Sequence, residues 1–115
     1  MSFVDNNTKD IDSLFEILQG HVKEKFDTDV ESIEVLKNRS RKRPLVYFRR
    51  MLMVILFEAF NKNYNQDEIA SVVGLDRTSL IYHTKMHHNE YTRYNDYKEE
   101  YDSIRDSYFE KIGIE

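Results

Sequence analysis

Residues 69–80 read Ile-Ala-Ser-Val-Val-Gly-Leu-Asp-Arg-Thr-Ser-Leu, and this stretch decides the fold expected for the chain. Gly74 divides two runs with helical apolar spacing, and glycine readily adopts the left-handed conformation that ends a helix. Upstream, Asn65 is followed three residues later by Glu68, which is typical of a capping box at a helix start. The pattern predicts a short helix over 66–73 that ends in a glycine turn.

A second helix is expected directly after this turn. Asp76 and Thr78 both suit its N-cap position, because their side-chain oxygens accept hydrogen bonds from free backbone N–H groups. Apolar spacing carries this helix to about His88, with three residues partly buried: Leu80, Ile81 and Met86. A short helix, a glycine turn and a second helix together make the helix-turn-helix pattern.

The residues before this motif predict two further helical segments and a loop. Apolar residues at three- and four-residue spacing mark a helix that runs to about Phe26, and residues 1–8 before it are expected to be flexible. The core-facing residues of this helix are Ile11, Leu14, Phe15, Leu18 and Val22. Asp29 suits the cap of a short helical turn, whereas residues 37–43 have no apolar anchor and are expected to form a loop.

The longest apolar stretch predicts the central helix. Pro44 suits a first helical position, and Leu45–Phe60 is apolar on nearly every side, so this should be the most buried helix. Its longest apolar run, Met51–Phe57, is far below the roughly 20 residues that a membrane-spanning helix needs. With no signal-peptide pattern and no cysteine, we expect a soluble, cytoplasmic protein that contacts no membrane.

A stripe of mostly tyrosine residues follows the helix-turn-helix. Its members are spaced three or four apart, as on one face of a helix: Tyr94, Tyr97, Tyr101, Ile104, Tyr108 and Ile112. We favour a helix folded back on the body, because a tyrosine hydroxyl needs a partner or an exit to solvent. The alternative is a seam for self-association with a second copy of the chain.

Composition limits the fold class. Three glycines and one proline in 115 residues leave little turn chemistry for hairpins, so the expected fold is all-α. The length suits one compact domain. We divide the chain into a flexible segment, residues 1–8, a helix-turn-helix domain with a preceding basic loop and long central helix, residues 9–88, and an acidic C-terminal helix, residues 89–115.

The charge of this acidic chain is distributed unevenly. The net charge is −4, yet residues 37–62 carry eight Lys and Arg against one Glu, a net +7. Six of these cations crowd a loop and the start of the central helix: Arg39, Arg41, Lys42, Arg43, Arg49 and Arg50. A helix start favours anions, so cations there are best tolerated opposite a phosphate. A solvated charge run is the alternative, but beside a helix-turn-helix the cluster favours DNA binding.

With these residues in place, segment 11–88 resembles the C-terminal DNA-binding domain of the bacterial replication initiator DnaA. The resemblance implies that the basic loop and an arginine of the long helix approach the DNA backbone and minor groove. It also implies that the second helix of the motif enters the major groove with an Asp-His-Thr-Thr sequence. Arg49 stands at the family's arginine, Asp76 at its aspartate, Thr78 at its first threonine, and Ser79 replaces its second threonine.

Two departures from the family pattern alter the expected target. Arg77 stands where the family has a histidine that contacts bases, and Tyr82 stands where a later histidine is usual. An arginine at this helix position most often reads guanine. The candidate DNA-contacting residues are therefore Arg39, Arg41, Lys42, Arg43, Arg49, Arg50, Asp76, Arg77, Thr78, Ser79, Tyr82, His83 and Lys85. These 115 residues lack the phosphate loop of an ATPase, so we do not expect them to act as a complete initiator.

The expected partner is double-stranded DNA, bound sequence-specifically at a replication origin, as in a phage or mobile element, or by a small repressor that competes for initiator sites. The alternative is a protein-interaction module that keeps the helix-turn-helix as a scaffold and binds a replication protein. His83 and His87 are four residues apart, but no third metal ligand has suitable spacing. We expect no metal, no cofactor and no catalytic residues.

Overall fold

The computed structural model describes residues 2–114, which form six α-helices and one 3₁₀ turn. No strand occurs among these residues, so the all-α prediction is confirmed. The elements, in chain order, are α1 (Phe3–Phe26), α2 (Ile33–Lys37), α3 (Arg43–Phe60), α4 (Gln66–Ala70), the 3₁₀ turn (Ser71–Val73), α5 (Arg77–Arg93) and α6 (Asn95–Ile112).

Helix α3 is the centre of the fold, as predicted. All the other α-helices pack on it, and residues 47–56 are all buried. Because the stretch is apolar on nearly every side, it can accept neighbours all round, which an amphipathic helix cannot do. The helix begins at Arg43 with Pro44 in its first turn, where a missing backbone N–H costs no hydrogen bond.

The expectation of a flexible segment 1–8 is wrong for the described part of that segment. Helix α1 begins at Phe3, whose side chain is fully buried and lies edge-on to the rings of Phe60, at 5.3 Å, and Tyr64, at 4.8 Å. This one aromatic anchor holds an otherwise polar stretch against α3. The backbone leaves helical geometry at Asn7, so the helix has a kink there.

Helix α2 is shorter than its predicted turn and begins later. Its N-cap is Ser32, which makes no side-chain capping hydrogen bond, whereas Asp29 lies exposed near Lys23. The prediction of Asp29 as the cap is therefore wrong. Leu36 is buried, and α2 packs on the 3₁₀ turn of the helix-turn-helix.

The helix-turn-helix has the predicted turn and capping box. The backbone N–H of Glu68 donates to the Asn65 side chain at 2.9 Å, and the N–H of Asn65 donates to the Glu68 carboxylate at 3.1 Å. Gly74 has φ 71°, the left-handed conformation, and ends the 3₁₀ turn. The first helix of the motif is thus α4 followed by the 3₁₀ turn rather than one continuous helix over 66–73.

Helix α5 is longer than predicted, because it continues past His88 to Arg93. The boundary drawn between residues 88 and 89 therefore falls inside a helix. Leu80 is buried and Met86 is half-buried, but Ile81 is 45% exposed, which contradicts its expected partial burial.

Helix α6 folds back on the body and packs against α1, α3 and α5, as favoured above. Four residues of the stripe are buried: Tyr97, Tyr101, Ile104 and Tyr108. Three tyrosine hydroxyls meet partners on the body, at His87, the Glu58 carboxylate and the Asp10 carbonyl oxygen. Most of the stripe is thus buried against α1, α3 and α5 of the same chain, so it does not form an exposed apolar face for a second copy. Tyr94 alone of the tyrosines in the stripe is exposed.

Among residues 2–114, no helix combines the length and the apolar character that crossing a membrane requires.

Candidate nucleic-acid interface

An open groove of about 700 Å³ separates the basic loop from the helix-turn-helix. Three chain segments line it. They are the end of α2 with the loop (residues 36–41), the first turns of α3 (Val46, Arg49, Arg50), and the turn and first half of α5 (Gly74, Leu75, Asp76, Ser79, Tyr82, His83). The fold thus brings together two regions that are some thirty residues apart in sequence.

Four predicted cations lie exposed in and beside the loop: Arg39, Arg41, Lys42 and Arg43. The first two line the groove, and the Arg43 guanidinium lies over the ring of Phe26, 5.9 Å from its centre. Their alkyl stems leave the charged groups in solvent, where a phosphate can reach them.

Arg49 lines the groove but is almost wholly buried, and this position does not support its predicted contact with DNA. The side chain is 7% exposed and donates three hydrogen bonds to backbone carbonyl oxygens: to Leu36 at 2.7 Å, Asn38 at 2.8 Å and Ser40 at 2.6 Å. Burial lowers the pKa of Arg49. A carbonyl-lined site satisfies the guanidinium internally, so this arginine holds the loop against α3.

Arg50 and His83 also line the groove but are buried, a position that does not support their predicted contact with DNA. Nε of Arg50 donates to Nδ1 of His83 at 3.3 Å, and Nη1 of Arg50 forms an ion pair with Glu90. Burial, with the positive charges of Arg50 and Arg49, lowers the pKa of His83 to about 4, so the ring is neutral near pH 7. A neutral, internally bonded histidine has no charge to offer a phosphate. Both residues serve to join α3 to α5.

Two carboxylates occupy the start of α5. Asp76, one of the two residues predicted to suit the N-cap, is the N-cap of α5 and accepts the N–H of Ser79 at 3.1 Å. Asp67, on α4, accepts the N–H of Arg77 at 2.7 Å. Asp67 was missed from the sequence, because its role depends on how α4 packs beside α5. These backbone donors are thus already used, and the two negative charges keep a phosphate from the helix start.

An exposed stripe runs along α5 on the side away from α3. Its members are spaced one, three, one and three residues apart, as one helical face requires: Arg77, Thr78, Ile81, Tyr82 and Lys85. Ile81 is 45% exposed and Tyr82 is 55% exposed, which is unusual for large apolar side chains on a helix that is otherwise packed. Ser79, also a predicted contact, is half-buried at the groove wall.

The histidines show no sign of a metal site. Nδ1 of His87 lies 2.8 Å from the Tyr97 hydroxyl, while His83 is bonded to Arg50. Within residues 2–114, no three side chains of His, Asp or Glu come close enough together to hold a metal ion.

Of the thirteen candidate residues, ten are exposed or half-buried, and three are buried although they line the groove. The buried ones are Arg49 and Arg50 on α3, which contacts neighbours all round, and His83 on the side of α5 that packs against α3. Sequence spacing did not distinguish them from the surface cations. Comparison with family models, with curated proteins and with solved structures returned no match for this chain.

Proposed function

We propose that this chain binds double-stranded DNA through two elements. One is the basic loop together with Arg43, the first residue of α3 (residues 38–43), and the other is the exposed stripe of α5 defined above. The observation that carries the proposal is the groove, which the loop and α5 line from opposite sides. Recognition of a DNA duplex requires two kinds of contact. The phosphates border the DNA grooves and bind cations, whereas the base edges on the groove floor are contacted by an inserted element such as a helix. Of the stripe, Tyr82 lines this groove, whereas Arg77, Thr78 and Ile81 border a second hollow that shares Asp76 with it. The loop thus offers cations for the backbone, and α5 offers a helix for the bases.

The loop supplies the affinity in this proposal. Arg39, Arg41, Lys42 and Arg43 are exposed and neutralise phosphates, and the release of counterions makes such binding salt-dependent. The acidic remainder of the chain repels phosphate, so the duplex is drawn to this face alone.

Helix α5 supplies the sequence preference. Asp67 and Asp76 at its start disfavour a phosphate there, whereas the major groove offers amino groups of cytosine and adenine as donors. Arg77 is exposed beside them and is suited to the O6 and N7 acceptors of guanine. The helix start therefore favours base edges over the backbone.

The biological role follows from the resemblance to DnaA's DNA-binding domain, which we carry forward as part of the proposal. A stand-alone module of this kind binds origin sequences for a phage or mobile element, or it occupies initiator sites as a small regulator. Both roles belong to the cytoplasm and the nucleoid.

A second candidate function is favoured by one observation, the exposure of Ile81 and Tyr82 next to two carboxylates. An apolar patch with an acidic rim also suits a protein surface, and a replication protein is the partner in that case. Here the helix-turn-helix serves as a scaffold only.

A mobility-shift titration at low salt with a pool of random duplexes separates the two candidates. We expect a shift that weakens steeply as salt is raised, followed by enrichment of one motif on repeated selection. Replacement of Arg39 and Arg41 by serine should weaken the shift. The matched control replaces Lys9 and Lys111, exposed cations outside the groove, and should bind as the unchanged chain does.

The absence of any shift contradicts the DNA-binding proposal and favours the protein-interaction module. A shift without an enriched motif contradicts sequence specificity alone.

A further inference from the structure

We infer that Arg49 is a positioning residue for DNA binding: it holds the basic loop in its binding shape and acts through Arg39 and Arg41 without touching DNA itself. The inference rests on the proposed function. Its basis is the set of three hydrogen bonds from one guanidinium to the carbonyl oxygens of Leu36, Asn38 and Ser40.

Two of the three acceptors, Asn38 and Ser40, are alternate residues of the loop, and the third, Leu36, lies in the last turn of α2. The carbonyl oxygens of residues 36, 38 and 40 all face the Arg49 guanidinium, so the contact spans the end of α2 and the first part of the loop. The backbone of Asn38 is extended, with φ −66° and ψ 137°. The side chains of Arg39 and Arg41, between and after the bonded residues, are exposed.

The loop has little else to order it. Residues 37–43 contain no apolar side chain that would pack into the core. Within the loop, the N–H of Lys42 donates to the Ser40 hydroxyl at 3.3 Å, a contact that joins neighbours only. The three Arg49 hydrogen bonds are therefore the contacts that tie the loop to α3 and oppose its conformational freedom.

The root of the loop is seated on the helix-turn-helix. A Cβ at Gly74 would lie 3.4 Å from Cγ of Lys37, so the end of α2 packs directly on the turn before α5. Leu36, the first acceptor, is buried beside this contact. The start of the loop is thus fixed where Lys37 packs on the Gly74 turn, and its next residues are fixed by the hydrogen bonds from Arg49 to Asn38 and Ser40. This arrangement sets the cations in register with α5.

The chemistry requires arginine at this position. Nε and Nη2 supply three of the five guanidinium donors in one rigid plane, and these three reach three carbonyls at once. A lysine keeps the positive charge but offers a single nitrogen. Arg49→Lys therefore separates the two roles: a residue that acts by charge tolerates the change, whereas a residue that positions the loop does not.

The test is a double-mutant cycle measured by binding to the selected duplex over a salt series. We expect Arg49→Lys to weaken binding about tenfold in the unchanged chain, within the range of coupling seen for contacting groups. In a chain with Arg39→Ser and Arg41→Ser, the same change should have less than about a twofold effect, since the two cations through which Arg49 acts are gone. Retained affinity in Arg49→Lys, or equal losses in both backgrounds, overturns the inference.

Two further measurements exclude misfolding of a variant as the cause of the result, because one uses the native chain and the other is made while the helices are intact. In the native chain, the Nε–H resonance of Arg49 should exchange slowly and stay unshifted when the duplex is added, whereas those of Arg39 and Arg41 should shift. A shift of the Arg49 resonance comparable to theirs indicates direct contact and overturns the inference.

Trypsin cleavage after Arg39, Arg41 and Lys42, measured without DNA, should be faster in Arg49→Lys at a temperature where circular dichroism shows the helices intact. Unchanged cleavage also overturns the inference. Failure of the native chain to bind any duplex is a different result, because it removes the proposed function whatever the trypsin rates show.

Discussion

Nε of Arg50 donates a hydrogen bond to Nδ1 of His83, 3.3 Å away, in a buried contact between α3 and α5. Because arginine has no acceptor, the ring proton of neutral His83 lies on Nε2. The same guanidinium pairs with Glu90, seven residues further along α5. One residue of α3 therefore holds α5 at two points, two helical turns apart. This contact sets which face of α5 is turned outward.

The first prediction concerns pH. The pKa of His83 is lowered to about 4 by burial, Arg50 and Arg49, and the pKa of His87 is lowered to about 4 chiefly by burial, against Glu58 and Asp102. The unfolded chain has histidine pKa values near 6.5 and binds more protons than the native chain between pH 6.5 and 4. The contribution of these two neutral histidines to the free energy of unfolding is therefore fully present above pH 6.5 and is lost as the pH falls toward 4.

Urea unfolding at pH 7 and pH 5 should show a decrease in unfolding free energy of about 1–2 kcal/mol, a value reduced for solvent screening. His83→Gln should flatten part of this dependence. His88→Gln, on an exposed histidine, is the control and should leave it unchanged. Equal stability at the two pH values contradicts the buried neutral histidine.

The second prediction concerns α6. The Tyr108 hydroxyl is buried and donates to the Asp10 carbonyl oxygen at 2.9 Å, whereas the Tyr94 side chain is 55% exposed. Tyr108→Phe should lower the unfolding free energy by about 1 kcal/mol, because the half-buried Asp10 carbonyl oxygen loses its hydrogen bond from α6. Tyr94→Phe should change it by less than about 0.5 kcal/mol. Thermal unfolding of the two variants measures the difference, and equal losses contradict the packing of α6 on α1.

The third prediction compares two glycines. Gly74 has φ 71°, and an added Cβ there meets Lys37, so Gly74→Ala should cost about 1–2 kcal/mol. Gly20 lies exposed within α1 with open space around it, so Gly20→Ala should stabilise by about 0.5–1 kcal/mol. Chemical unfolding of both variants gives the signs. A stabilising Gly74→Ala excludes the left-handed turn.

The fourth prediction tests base reading under the proposed function. Arg77 is exposed at the start of α5, and Arg77→Ala should cost about 1–3 kcal/mol at one base position while leaving the rest of the motif unchanged. Selection from random duplexes with both chains measures this. Arg93→Ala, at the far end of the same helix, is the control. An identical motif from Arg77→Ala shows that this residue reads no base.

The fifth prediction uses the exposed apolar side chain of Ile81. In the major groove, such a side chain contacts the thymine methyl group. Replacing thymine by deoxyuridine in the selected duplex should cost the native chain about 0.8 kcal/mol at the contacted position, roughly fourfold in Kd. Ile81→Ala should bind both duplexes equally. A native chain that is indifferent to every thymine methyl contradicts this contact.

Local patterns were sufficient for much of the fold. The capping box at Asn65 and Glu68, the left-handed Gly74 and the all-round apolar α3 involve residues close in sequence, and each was predicted correctly. The extent of α1 was not, because the anchor that orders its start, Phe3, contacts Phe60 and Tyr64 across the fold.

The candidate interface divides in the same way. The sequence by itself determined the helix-turn-helix, the basic loop and the concentration of positive charge at residues 37–62, because all three are encoded in short spacing and composition. Only the tertiary structure decided which cations face solvent. Arg49 and Arg50 lie within the buried stretch of α3. Their hydrogen-bond and ion-pair partners come from other elements: backbone carbonyls for Arg49, and a histidine and a carboxylate for Arg50. Burial depends on which elements pack together, and that information is not contained in the local spacing of charges.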